Sequence, residues 1–141
     1  CTGLTSFPLV DTSSGTNFNY AWVSCTSLTS FPQLNTSSAT QFYGTWLNCS
    51  SLADFPANMF DTTGVLNAVA FSTTWNNCAL TAQSIENILV SLQTNQAVSG
   101  KTGVTVGLDG GTNAAKSTWS VAANTAYDDL VAASWVITHN P

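Results

Sequence analysis

The chain has 141 residues, two lysines as its only cations, seven acids and a formal net charge of −5. That balance offers no electrostatic footprint for a phosphate backbone or an anionic membrane surface, so nucleic acid is excluded as a partner. No apolar run of roughly eighteen residues is present to insert in a bilayer, and no basic segment followed by an apolar one opens the chain. Against nine charged side chains stand 38 Ser and Thr and 13 Asn, so solubility rests on hydroxyls and amides, a balance that points to an extracellular setting.

A repeat organises the first half. Cys-x-x-Leu-x-x-Phe-Pro begins at Cys1, Cys25 and Cys49, and a Trp stands three residues before each following Cys, at Trp22, Trp46 and Trp75. The units are 1–24, 25–48 and 49–77, and 78–141 reads as a capping segment. Units of this length cannot bury an apolar face alone, so the repeat predicts a solenoid in which Leu4, Leu28 and Leu52 stack in one column. The Phe of each Phe-Pro should form another.

Within each unit, Leu4-Thr5-Ser6-Phe7-Pro8 and its counterparts predict a short parallel strand ended by proline, which cannot donate to the next ladder bond. Asp11-Thr12-Ser13-Ser14-Gly15, Asn35-Thr36-Ser37-Ser38-Ala39 and Asp61-Thr62-Thr63-Gly64 supply turn and helix-capping residues. Phe18, Ala21, Trp22 and Cys25 then fall at helical spacing, as do the equivalents ending at Cys49 and Cys78, which predicts a short helix. The third unit is five residues longer, and its helix is expected to gain a turn through Val65, Leu66, Val69 and Ala70.

After Cys78 the spacing predicts a helix from an N-cap at Ser84 with Ile85, Ile88, Leu89 and Leu92 inward. A strand through Val104, Val106 and Leu108 should end at the Asp109-Gly110-Gly111 turn. A second helix is expected from about Ser117 to Ala133, with Val121, Ala122, Ala126, Leu130 and Ala133 as its apolar face, followed by a short strand at Trp135, Val136 and Ile137. These elements would close the C-terminal end.

Cys25-Thr26-Ser27-Leu28-Thr29-Ser30 and Cys49-Ser50-Ser51-Leu52-Ala53-Asp54 resemble the units of the BspA-like class of leucine-rich-repeat surface proteins. The segment from Asn77 to Leu89, with Leu108-Asp109-Gly110-Gly111 and Ser134-Trp135-Val136-Ile137, is similar to the closing segment that follows such repeats in bacterial and phage or other viral proteins. The resemblance implies an α/β repeat fold, a right-handed leucine-rich-repeat-like solenoid with a C-terminal α/β cap, and a binding or structural role on a cell or virion surface. The chain departs from that pattern in its Trp positions and in its Phe-Pro pairs.

Chemistry has few candidates. Asp128 and Asp129 are adjacent and would diverge by about 100° on a helix, and Asp109 lacks the company a calcium loop needs. His139 has no nucleophile motif around it. The sequence therefore predicts no enzyme, no metal and no cofactor. Cys1, Cys25, Cys49 and Cys78 are one repeat position read four times; the favoured reading is a column of buried thiols, with disulfide pairing as its alternative because stacked positions lie about 5 Å apart. Asn35-Thr36-Ser37 and Asn48-Cys49-Ser50 match the glycosylation sequon, which the repeat itself generates. Trp22, Trp46 and Trp75 suit a sugar-stacking stripe, but they share the face of Phe and Cys and are assigned to the core.

Recognition is instead expected on a polar strip between the inward Leu and Phe: Thr5, Ser6, Thr29, Ser30, Ala53 and Asp54. Its partner would be protein or glycan. At the other extreme, Cys1, Leu4 and Phe7 begin a repeat with nothing ahead of them, and this stacking interface is expected to be covered by preceding coils or another subunit. Two functions compete: an adhesion or display module on a bacterial surface or phage virion, and a self-assembling structural subunit.

Overall fold

Two residues in every unit adopt left-handed backbone conformations at matching positions: Tyr20 and Ser24, Gly44 and Asn48, Thr73 and Asn77, with φ between 56° and 62°. Such residues interrupt an α-helix. In the computed structural model, which describes residues 1–64 and 66–141, the Phe-to-Cys segments accordingly form consecutive turns. Alternate amides bond within the unit and to the next one. Thus Ala21 and Val23 donate to the carbonyls of Phe18 and Tyr20, whereas Tyr20, Trp22 and Ser24 donate to Tyr43, Thr45 and Leu47. The same alternation links the second unit to the third, where Phe42, Gly44, Trp46 and Asn48 donate to Ala70, Ser72, Thr74 and Asn76.

The expected architecture is corrected by these findings. Among the described residues the regular elements are two helices and one two-stranded parallel sheet, together with a three-residue 3-10 helix, in a small compact α/β fold. A leucine-rich-repeat-like solenoid with a short parallel strand and short helix in each coil does not form. The expected strands are reduced to isolated parallel bridges, Ser6 with Ser30 and Ser30 with Asp54. Each is followed within two residues by Pro8, Pro32 or Pro56, which has no amide to extend the pairing. The expected longer helix of the third unit is also absent: Leu66 and Ala70 are buried in non-helical chain and Val69 is exposed, while Val65 lies outside the described residues.

Equivalent side chains nevertheless stack. Trp22, Trp46 and Trp75 are spaced at 5.6 and 5.7 Å between ring centroids, with interplanar angles of 12° and 10°. Phe18, Phe42 and Phe71 follow at 5.6 and 5.1 Å, and Phe7, Phe31 and Phe55 at 5.3 and 6.2 Å. Edge-to-face contacts tie the columns together, as between Trp46 and Phe55 at 4.9 Å. Each favourable aromatic pair contributes roughly 0.5–1.5 kcal/mol beyond area burial. That gain offsets the indole nitrogens of Trp46 and Trp75, both buried without a partner among the described residues, at a typical cost of about 1–3 kcal/mol each.

The C-terminal elements form a lid over the third unit. Helix α1 (Ala82–Ser99) starts at Thr81, whose hydroxyl accepts the Ser84 amide at 3.2 Å, and ends at Gly100 with φ 65°. Thr81, not the expected Ser84, is the cap. Strand β1 (Thr105–Leu108) bridges Phe71 of the third unit through Val106 on one side. On its other side it pairs in parallel with β2 (Val136–His139). Helix α2 (Val121–Ala132), capped by Ser120, starts later than the expected Ser117 and buries Ala123, Ala126 and Leu130. Val121 and Ala122, expected on its apolar face, are exposed in its first turn, and Ala133 is half-buried. The inward residues expected for α1, namely Ile85, Ile88, Leu89 and Leu92, are fully buried. None of the described helices is long and apolar enough to cross a membrane.

Candidate binding surface

The six strip positions, five of them polar, come together in two rows. Thr29 donates its amide to the carbonyl of Thr5 at 3.2 Å, and Ala53 donates to Thr29 at 3.0 Å, which aligns the first row. Ser6, Ser30 and Asp54 form the second through their parallel bridges. Thr5, Ser6, Thr29 and Asp54 are exposed, and Ser30 and Ala53 half-buried. Leu28 and Phe31, three positions apart, both point inward, which departs from strand alternation and leaves the two residues between them on the outer side.

The strip ends where α1 begins. Six residues after Cys25 and Cys49 stand Phe31 and Phe55, but six after Cys78 stands Ser84. Without a fourth ring, a cleft of about 250 Å³ opens over Phe31, Phe55 and Ser84. Its rim is Asp54 and Pro56 on the repeat side, and Thr81, Gln83 and Asn87 from the start of α1. Gln83 Nε2 donates to Asn87 Oδ1 at 3.2 Å, and Asn87 Nδ2 donates to the Phe55 carbonyl at 2.8 Å, so both amides are held in place.

Reading the sequence missed what holds this cleft open. Ser84, Asn87, Ser91 and Asn95 form a polar stripe on α1 that pairs backbone groups of buried and half-buried residues of the third unit. Ser84 Oγ accepts the Phe55 amide at 2.9 Å and donates to the Ala53 carbonyl at 2.8 Å. Ser91 Oγ accepts the Phe60 amide at 2.8 Å, and Asn95 Nδ2 donates to the Thr63 carbonyl at 2.9 Å. The available signal was the recurrence of hydroxyl and amide residues along one helix face, interleaved with its apolar positions.

The other candidates fall elsewhere. Cys1 is exposed and Leu4 and Phe7 half-buried. Phe7 packs on Trp22 and Phe31 at 4.9 and 5.3 Å, beside Leu9 and Val10, which are 75% and 43% exposed. Asp109 accepts the Thr138 hydroxyl at 2.8 Å. Asp128 and Asp129 are exposed on α2, where Asp129 takes a hydrogen bond from Gln93 of α1. His139 packs its ring against Trp119 and Tyr127. Among the described residues, no three carboxylate, imidazole or thiol groups converge as metal ligands would.

All four cysteines are free thiols, and three are buried. Cys49 donates to the Trp22 carbonyl at 3.0 Å and Cys78 to that of Trp46 at 3.1 Å. Burial pushes the Cys49 thiol up to about 11 and the Cys78 thiol higher still, so both stay protonated at neutral pH. Thiols of this kind are packing groups rather than nucleophiles. No protein-family model matches the chain, and neither a curated protein nor a solved structure matches it.

Proposed function

We propose that this chain is a non-enzymatic binding module displayed on a bacterial cell or phage virion, engaging protein or glycan through the polar strip and the cleft at its end. The observation that carries the reading is the alignment of Ser6, Ser30 and Asp54 into one row that runs to the mouth of the cleft. A hydroxyl-rich row on a rigid backbone, ending in a concavity with an apolar floor, suits recognition of a polar surface. The net charge of −5 directs that recognition away from polyanions. The likeness of the Cys-Thr-Ser-Leu units to bacterial and viral surface proteins supports the setting.

Binding to a printed glycan array and an array of purified extracellular proteins tests this. Wild-type protein should be retained on at least one array, and a Ser30→Lys, Asp54→Lys variant should lose it. Failure of the folded wild type on both, or retention unaffected by the two changes, overturns the reading.

A second reading, a self-assembling structural subunit, is favoured by the exposed apolar pair Leu9 and Val10, 75% and 43% exposed beside the half-buried Phe7. Another subunit docked on this patch would bury them. Analytical ultracentrifugation should then show concentration-dependent mass that Phe7→Ser abolishes; a strictly monomeric wild type excludes it.

A further inference from the structure

We propose that the cleft beside Asp54 holds a single ring of a neutral sugar. The inference rests on the binding-module reading and names the ligand for its deepest point. Three features of the cleft lead to it.

Size comes first. At about 250 Å³ the cleft is smaller than the ~300–1,000 Å³ pockets that enclose a drug-sized molecule. It admits one ring, not a folded peptide turn.

Charge comes second. The two lysines are the only cations, and neither lines the cleft. Lys101 follows the far end of an 18-residue helix, about 27 Å of rise from its start, and the Lys116 ammonium sits 3.5 Å over the Tyr127 ring. An anionic ligand would meet the exposed Asp54 carboxylate without a counter-charge.

The third feature is the pattern of the lining. The half-buried Pro56, beside a Phe55 that is itself only 3% exposed, gives a small apolar surface, while Asp54, Thr81, Gln83 and Asn87 surround it with acceptors and donors. A pyranose has the complementary build, with an apolar C–H face and a rim of hydroxyls that each donate and accept. The Asp54 carboxylate accepts from ring hydroxyls, and the amides of Gln83 and Asn87, already oriented by their mutual hydrogen bond, take the remainder. Preorganised amides lose little freedom on binding.

Amide-resolved NMR titration of the full chain with methyl β-D-glucopyranoside, methyl β-D-galactopyranoside, methyl α-D-mannopyranoside and N-acetylglucosamine tests the proposal, with methylammonium chloride as a cationic probe. At least one sugar should shift the amides of Asp54, Phe55, Gln83 and Ser84, and Asp54→Ala and Gln83→Ala should each weaken it about tenfold, about 1.4 kcal/mol. Both variants leave the backbone bonds of the cleft intact, and an otherwise unchanged spectrum verifies their folding. Shifts from methylammonium alone, or from no sugar at tens of millimolar, overturn the proposal. If the sugars fail while the arrays reveal a protein ligand lost by the Ser30→Lys, Asp54→Lys variant, the sugar assignment falls and the binding-module reading stands; if both fail, both fall.

Discussion

Ser84 takes the place that Phe55 holds one repeat earlier, and its hydroxyl accepts the Phe55 amide at 2.9 Å while donating to the carbonyl of Ala53. One side chain thus ends the ring column and occupies the backbone groups that a further repeat would use. The Phe55 amide is buried and has no other partner among the described residues, whereas the Ala53 carbonyl also accepts the Thr81 amide at 3.1 Å, so losing the hydroxyl leaves the amide unpaired. Ser84→Ala should cost about 1–3 kcal/mol, read from denaturant unfolding, and should accelerate hydrogen exchange at the Phe55 amide. An effect no larger than that of Thr94→Ala, on the exposed side of the same helix, would contradict this role.

The Leu column is graded in burial. Leu28 and Leu52 are fully buried, whereas Leu4 is only partly covered. Leu28→Ala should destabilise the protein by ~2–5 kcal/mol and Leu4→Ala by less than ~2 kcal/mol, because only the first leaves an enclosed cavity. Thermal or urea unfolding of the two variants checks the order.

Gly107 of β1 lies against Thr73. A Cβ built on it would stand 2.6 Å from the Thr73 amide nitrogen and 2.7 Å from its Cα, both backbone atoms that cannot swing aside. The closeness lets Gly107 donate to Phe71 and accept from Trp75, both at 3.0 Å. Gly107→Ala should therefore cost about 1–3 kcal/mol or more by overpacking, and the calorimetric melting temperature should fall by several degrees.

Thiol accessibility separates Cys1 from the rest. Ellman's reagent should modify the exposed Cys1 at once, and Cys25, Cys49 and Cys78 only on unfolding. The same burial carries a pH dependence. A thiol whose folded pKa is raised leaves stability unchanged below its ordinary value near 9.0 and weakens it as pH climbs toward the folded value, about 11 for Cys49. The Cys78 contribution continues to higher pH. Urea midpoints should fall across that window in the wild type, and the fall should be shallower in Cys49→Ala.

Repetition and apolar spacing were enough to identify the columns, since only stacking covers Leu28, Phe31 and Trp46 in units so short. They also ordered the C-terminal elements, because α1 and α2 carry helical spacing and β1 alternates. The same spacing misled at Phe18, Trp22 and Cys25. Overlapping four-residue turns, with left-handed residues four apart at Tyr20 and Ser24, put Phe18 and Trp22 on one face as a helix would, and only the neighbouring unit's carbonyls choose between them. Those carbonyls take alternate amides, leaving Tyr20 and Ser24 left-handed. Thr5, Ser6, Thr29, Ser30, Ala53 and Asp54 could be grouped from their register, yet the cleft beside Asp54 was not legible. It depends on where Ser84 and Asn87 of α1 meet Phe55 of the repeat, a meeting of residues about thirty positions apart that local pattern does not encode. Composition and periodicity thus determined which side chains stack in the columns and in what order the C-terminal elements follow, but not the inward faces expected at Val69 and Val121, which are exposed. The tertiary hydrogen bonds decided the backbone form of the repeats and the shape of the surface where they end, because each free amide or carbonyl takes the partner that packing brings within reach.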